Sequence, residues 1–374
     1  MKRILIQRRK DGYLTGLLEG GKLVELVFDP HKGGSIVGNV YTGIVKKINT
    51  GFVFIDIGLF QQAFLDSRDN REQALFSQGK LTVKQGDNLI VQIIKDPLGD
   101  KGPVATTSIS YNGRFTVLSQ SVGSDRISVS RKIDAEESER LRSITKKHIP
   151  PGFSAIIRSA AANRREDEIA GEIPALVAKF DSHTPWAMVK PPAPLLAEPP
   201  IIKTLREIAT EDVNEILTDC TALHSQQPHP RLSLFALEQN IFEHFFVQTQ
   251  IDKLRDKRVW LKSGAFIVIE QTEACVVIDV NTSKYTGKKS EAVKLKTNLE
   301  AAKEIAVQLR LRNLSGIIII DFIAMKAQSD VENLTAHLRA ELAKDRIPTA
   351  VVGMTALGLM ELTRKRVRSS FTAR

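Results

Sequence analysis

Residues 274–281, ACVVIDVN, and residues 316–323, GIIIIDFI, decide the fold. Each is an apolar run that ends on an aspartate, Asp279 in the first and Asp321 in the second. Between them lie a polar loop, 282–296, and the segment Thr297-Asn298-Leu299-Glu300. A threonine with a glutamate three places on is a capping-box start for a helix. That helix is expected over 301–312, with Ile305, Leu309 and Leu311 on its apolar side, and 313–316 stop it. Strand, crossover helix, strand is normally a parallel, right-handed unit whose two strands finish at one edge of a sheet. Asp279 and Asp321 are therefore expected side by side at the carboxyl end, where open α/β sheets place their sites.

Two converging carboxylates repel and shift each other's pKa unless positive charge lies between them. A hard divalent cation answers that need. Mg²⁺ takes oxygen ligands, keeps several waters, and is often held by one or two carboxylates plus a substrate phosphate. Each aspartate alone also suits a plain turn or helix start after a buried strand. For the pair, both readings stand at this point.

At 374 residues the chain is too long for one ordinary domain, and two to four units are expected. With 42% hydrophobic residues it can bury real cores. A net charge of +10 points to a polyanionic partner, RNA or DNA first and anionic lipid second, or to a merely basic surface. Two cysteines, Cys220 and Cys275, with no Cys/His cluster fit a reducing cytoplasm and argue against a zinc site within the chain. The apolar run at residues 4–6 is too short for a signal peptide, and no run approaches a membrane span.

Residues 2–30 read as three short strands punctuated by Gly12, Gly20-Gly21 and Pro30. Residues 34–118 read as all-β, with strands near 38–49, 51–57, 63–65, 88–95 and 104–108. Phe52 and Phe54 share one strand face, with Phe64 on the next strand; barrel core and base-stacking surface are both open to them. Residues 119–200 carry a charged helix at 135–147, a strand at 153–157 and a helix at 166–180, then a proline-rich linker from 191. Helices are expected over 202–217 and 234–254, the second with a core stripe of Ile241, Phe242, Phe245 and Phe246. A hairpin over 259–270 leads into the central unit. The loop 282–296 holds Lys284, Lys288, Lys289, Lys294 and Lys296, a phosphate track beside a metal site or simply a solvated loop. A helix at 331–342, a strand at 350–354 and an Arg-rich helix at 357–368 complete the chain.

The motifs VIDVN (277–281), TNLEAA (297–302), QLRLR (308–312) and GIIIIDFI (316–323) resemble the catalytic core of the bacterial ribonuclease E/G family. So do LKSG (261–264), EQTEA (270–274) and GLMELTR (358–364), in order along the chain. YTGIV (41–45), GFVFIDIG (51–58) and AFL (63–65) look like an S1 domain, an OB-type barrel that binds single strands by stacking bases over a basic groove. The resemblance implies an α/β multi-subdomain fold. Its parts are a ribonuclease H-like subdomain in two pieces (1–35 and 201–254), an inserted S1 barrel (36–118), a 5′-sensor (119–200) and a DNase I-like α+β catalytic subdomain (255–374).

The family resemblance further implies Mg²⁺-dependent endonucleolytic cleavage of single-stranded RNA in the bacterial cytoplasm, with Mn²⁺ as a substitute. The ends would be 5′-phosphate and 3′-hydroxyl, with metal-held water as nucleophile. Asp279 and Asp321 match the metal-binding aspartates, and Asn281 matches the asparagine that orients the scissile phosphate or that water. Phe54, Phe64 and Lys101 match the RNA-binding residues of the barrel; Phe52 stays unassigned. Arg158 and Ser159 match the pocket for a 5′-monophosphate, where the family more often has threonine in the second place. The chain departs from the family at Ala324, where a second acid is common. It also lacks the paired cysteines of the family's zinc link and the small dimerisation domain, so no zinc is expected and any homo-oligomer is expected not to use that link. A non-catalytic RNA-binding protein built on the same barrel is the rival reading.

Overall fold

The computed structural model describes residues 1–66, 76–77, 80–81, 83–97, 100–120, 126–181, 189–282, 290–367 and 370–371. They divide into two compact units, Met1–Gly34 with Ile201–Arg374, and Ser35–Pro200.

The first unit holds two sheets. In one, the opening strands Lys2–Arg8, Gly12–Glu19 and Lys22–Pro30 form an antiparallel meander. Val213–Thr218 adds to it in parallel beside Lys2–Arg8, and Leu232–Leu234 follows at the edge. The expected helix over 202–217 therefore ends early. Pro200–Ile208 is helical, and Val213 and Ile216 point into the core from a strand, although they continue the helical spacing of Ile201, Leu205 and Ile208. The expected helix over 234–254 is also broken, into Ile241–His244, Gln248–Asp252 and a 3₁₀ turn at Lys253–Arg255. Phe246 sits at φ 56° and is exposed, so it leaves the core stripe that Ile241 and Phe242 keep.

The other sheet has six strands in the order Arg258–Trp260, Phe266–Gln271, Cys275–Asn281, Gly316–Asp321, Met360–Arg364, Thr349–Met354. Cys275–Asn281 and Gly316–Asp321 pair in parallel, as their sequence pattern requires, and a helix crosses between them. That helix spans Glu291–Leu311, longer than expected, with Ser290 at its N-cap position. The capping-box reading of Thr297 and Glu300 fails because both side chains have other work. Thr297 Oγ1 donates to the Val293 carbonyl, one turn back within the helix. Glu300 accepts from the backbone N–H groups of Lys262 and Ser263, holding the turn of the neighbouring hairpin. The alanines Ala301, Ala302 and Ala306 let the helix lie close on Val276, Ile278, Ile318 and Ile320, and Gln328–Leu342 packs beside it. The closing segment, expected as a helix, is the strand Met360–Arg364. Met360, Leu362 and Arg364 point inward and alternate with Glu361 and Thr363, a period of two that the run of basic residues obscures.

Among the described residues, helices cover one face of this sheet. Val277, Ile317, Val352 and Trp260 lie exposed on the other, so the apolar runs are not buried on both sides as such runs commonly are.

In the second unit Val40–Asn49, Phe52–Asp56, Ala63–Asp66, Val104–Thr106 and Asn88–Lys95 form a barrel closed by pairing of the last with the first. This agrees with the S1 or OB expectation. Val45, Val53, Ile55, Leu65, Val91 and Ile93 fill it. The proline-rich linker contributes a strand of its own, Ala193–Leu196, laid along Val40–Asn49 where Phe52–Asp56 no longer pairs. A four-stranded sheet follows, Ser110–Asn112, Thr116–Gln120, Phe153–Ile157 and Ile127–Val129, with helices Ala135–His148 and Glu166–Asp181. No helix among the described residues is long and apolar enough to cross a membrane.

The six-stranded sheet that contains Cys275–Asn281 is pinned at its far end by a buried ion pair. Arg364 Nε lies 2.8 Å from Asp345 Oδ2, with both side chains almost wholly buried, and Arg364 also donates to Asn313 Oδ1 and the Leu314 carbonyl. Removing one partner of such a pair strands the other's charge. Arg364→Met is expected to cost about 3–5 kcal/mol of unfolding free energy, measured by urea denaturation, with part recovered by adding Asp345→Asn.

Candidate active site

Along Cys275–Asn281 the side chains alternate strictly: Val276, Ile278 and Val280 go to the core, and Val277, Asp279 and Asn281 face out. Gly316–Asp321 repeats the pattern, with Ile318 and Ile320 inward and Asp321 outward. Asp279 and Asp321 are direct register partners, so both carboxylates project from the same exposed face on strands roughly 4.8 Å apart. Asn281 Nδ2 donates to Asp279 Oδ2 at 2.6 Å, which fixes the rotation of that carboxylate. The three residues read from the sequence thus come together at the carboxyl end of two parallel strands. The two carboxylates offer hard oxygen donors, the kind that suit Mg²⁺ or Mn²⁺, with the Asn281 amide beside them. No group of three or more His, Cys, Asp or Glu side chains able to hold a metal occurs among the described residues, so water and substrate would complete the shell.

Three residues hold the segment after Asp321 in a role that sequence reasoning missed. Asn298, fully buried, donates from Nδ2 to the Ile323 carbonyl at 2.8 Å and accepts from the Ile323 N–H at 3.1 Å. Lys294 Nζ donates to the Ala324 carbonyl, and Glu291 accepts from the Lys326 N–H. These positions lie one helical turn apart, so one face of the crossover helix zips onto the backbone of 323–326. Lys294 also pairs with Glu291 at 3.0 Å, and its ammonium is the first cause holding the Glu291 carboxyl below the ordinary carboxylate range. Lys294 and Lys296 therefore belong to a helix and not to a loose phosphate loop. Lys284, Lys288 and Lys289 lie outside the described residues.

On the barrel, Phe54 and Phe64 are register partners on adjacent strands and point away from the core, as does Phe52, whose ring meets Phe64 edge-on at 6.3 Å. The three rings form one outward aromatic face. The strand of Phe64 is joined to the Lys101 segment by the bond from Phe64 N to the Pro103 carbonyl. A Cβ at Gly102 would lie 1.9 Å from the Gln62 carbonyl, so only glycine lets that segment approach, and Lys101 beside it is exposed. Phe60, fully exposed at the tip of the loop between the two aromatic strands, adds a ring that no motif marks.

Arg158 follows the strand Phe153–Ile157, and its Nη1 donates to the Gly113 carbonyl at 2.9 Å, with Ser159 exposed next to it. Glu166 is paired with His148 and Lys147, and Asp167 with Arg165, so the acids of the following helix are already engaged. Glu172 accepts from the N–H groups of Arg114, Phe115 and Thr116, filling the turn beside Gly113 with a carboxylate. Arg158 and Ser159 belong to a different sheet from the barrel aromatics.

The family model described as the ribonuclease E/G family matches residues 110–367. Ribonuclease G of Escherichia coli (strain K12) is 34% identical over 94% of this chain and 77% of its own. Ribonuclease G of Haemophilus influenzae is 34% identical over 95% and 77%. Ribonuclease E of H. influenzae is 30% identical over 99% of this chain and 42% of its own length.

The clamp on the Asp321 segment is testable by itself. Asn298→Ala leaves the Ile323 N–H and C=O unpaired and is expected to destabilise the protein by roughly 1–3 kcal/mol per group left without a partner, read by urea denaturation. Faster hydrogen exchange at the Ile323 amide is expected alongside.

Proposed function

The chain belongs to the ribonuclease E/G family, and from that premise we propose that it is an endoribonuclease that cuts single-stranded RNA at the Asp279–Asn281–Asp321 edge. The observation that carries this reading is the register pairing of Asp279 with Asp321 on an exposed sheet edge. Mg²⁺ held by the two carboxylates would neutralise charge on the phosphodiester and make water a competent nucleophile at neutral pH. The protein's own part is positional. Asn281 holds Asp279 in one orientation and can offer its second amide hydrogen to a phosphate oxygen. Asn298, through the backbone at Ile323, keeps the Asp321 strand end from drifting. In-line attack by water leaves a 5′-phosphate and a 3′-hydroxyl. No protein nucleophile is needed.

Phe54, Phe64 and Lys101 on the barrel would stack and neutralise a bound strand. Arg158 and Ser159 would receive a 5′-monophosphate, the guanidinium forming paired hydrogen bonds and the hydroxyl adding one more. Within the same reading, the sheet of residues 2–30 and 213–234 is the ribonuclease H-like part, and residues 255–374 the DNase I-like part. The chain works in the bacterial cytoplasm, as its free cysteines suit.

Asp279→Asn and Asp321→Asn are each expected to lower cleavage of a 5′-monophosphorylated A/U-rich oligoribonucleotide by roughly a thousandfold or more in Mg²⁺. Binding, followed by fluorescence anisotropy, should be largely kept. EDTA should stop the wild type, and Mn²⁺ should restart it. Wild-type protein that binds RNA and never cuts it in either metal is instead the RNA-binding module. Arg158→Ala should erase the rate difference between monophosphorylated and 5′-hydroxyl substrates and leave the slower rate in place.

A further inference from the structure

The row of residues level with Asn281 carries aromatic rings. Asn281 is the register partner of Phe266 on the next strand, and Phe266 is the partner of Trp260 on the edge strand. One step along, Asp321, Asp279, Val268 and Arg258 form the parallel row. Paired residues of adjacent strands project to the same face. Trp260 and Phe266 therefore share the open face with Asn281, as Arg258 does with the two aspartates. Val259, between Arg258 and Trp260, packs on the core, which confirms the alternation.

The rings are arranged for contact. Trp260 and Phe266 lie 5.2 Å apart between centroids, and the Arg258 guanidinium carbon stands 4.6 Å from the Phe266 centroid and 5.7 Å from that of Trp260. Trp260 is nevertheless 62% exposed, an unusual cost for a large aromatic unless something covers it. The hairpin that carries the group is held at its turn by Glu300, so its position relative to the aspartate strands is set by the crossover helix. The backbone of Trp260 lies two strand spacings, about 10 Å, from that of Asn281.

We propose that Trp260, Phe266 and Arg258 form a stacking platform that seats one base of the RNA strand beside the scissile phosphate. The inference rests on the endonuclease reading of the aspartate edge. The occupant is a base of a single strand because flat rings plus a cation fit a π-face with a phosphate next to it. The alternation of exposed rings and arginine does not suit a dry protein interface as well.

The chain has two tryptophans, Trp186 and Trp260, so Trp186→Phe leaves the platform indole as the sole one. In that background, with Asp321→Asn to prevent cutting, an A/U-rich oligoribonucleotide is titrated while emission and anisotropy are followed. Quenching of Trp260 that tracks binding is expected, and a single abasic site stepped along the strand should relieve it at one position. In otherwise intact protein, Trp260→Ala should lower kcat/KM by about tenfold, the loss of one stacked base, mostly through KM, and Trp260→Phe should restore most of it. Saturating RNA that leaves Trp260 emission unchanged overturns the proposal, as does a Trp260→Ala variant with wild-type kcat/KM. A variant that shifts the sedimentation of RNA-free protein while cleaving normally gives the face to a second copy of the chain and also overturns it. If the wild type does not cut RNA at all, the nuclease reading falls separately, and the quenching still decides whether this face holds a base.

Discussion

The parallel pairing of Cys275–Asn281 with Gly316–Asp321 is the constraint from which the rest follows. Side chains along a strand alternate, so a slip of one residue in either strand would send one aspartate into the core among Ile278 and Ile320. The cost of burying a carboxylate there makes the register nearly self-enforcing. The inward set of aliphatic residues thus selects the outward set of acids. Stability of the sheet and placement of the site are the same physical fact.

What the pairing does not set is the direction of the chain beyond Asp321, and here the crossover helix takes over. Its length matters. The first turns, Glu291, Lys294 and Asn298, reach the segment 323–326, while Glu300 reaches the hairpin turn at Lys262 and Ser263. One rigid element therefore fixes both the strand end that carries Asp321 and the hairpin that carries Trp260 and Phe266. The bonds run to backbone groups, so they constrain path more than side-chain identity. Lys294 spends its charge on Glu291 and donates to the Ala324 carbonyl, so it too serves the path of this segment.

How much of this the residues announced depends on the range of the interaction. The aspartate pair, Asn281 and the barrel strands were legible because each shows itself in a local alternation or in an apolar run with a polar end. Asn298 was not, since its partner is Ile323, twenty-five places away, and a buried asparagine in a helix looks like a weak helix former. Thr297 and Glu300 looked like a cap because a capping box is a local pattern, yet Glu300 finds N–H groups thirty-seven and thirty-eight residues distant. Val213–Thr218 passed for helix because its partner is the first strand of the chain, and Met360–Arg364 because its partners lie in two other strands. Phe60 has no partner pattern at all; only its exposure, visible once the fold is built, sets it apart.

The sparseness of the acid set carries a chemical consequence. Two carboxylates would give a divalent cation fewer protein ligands than it needs, leaving the remainder to water or substrate oxygen. On the proposed reading the ion would be held more firmly once a phosphodiester bridges it, so metal and substrate would strengthen each other's binding by the same factor. An aromatic platform at the same sheet edge would then act early, holding the strand by a base while the phosphate settles between the acids. Recognition through stacking would not compete with such a cation for oxygen ligands, because flat rings offer none.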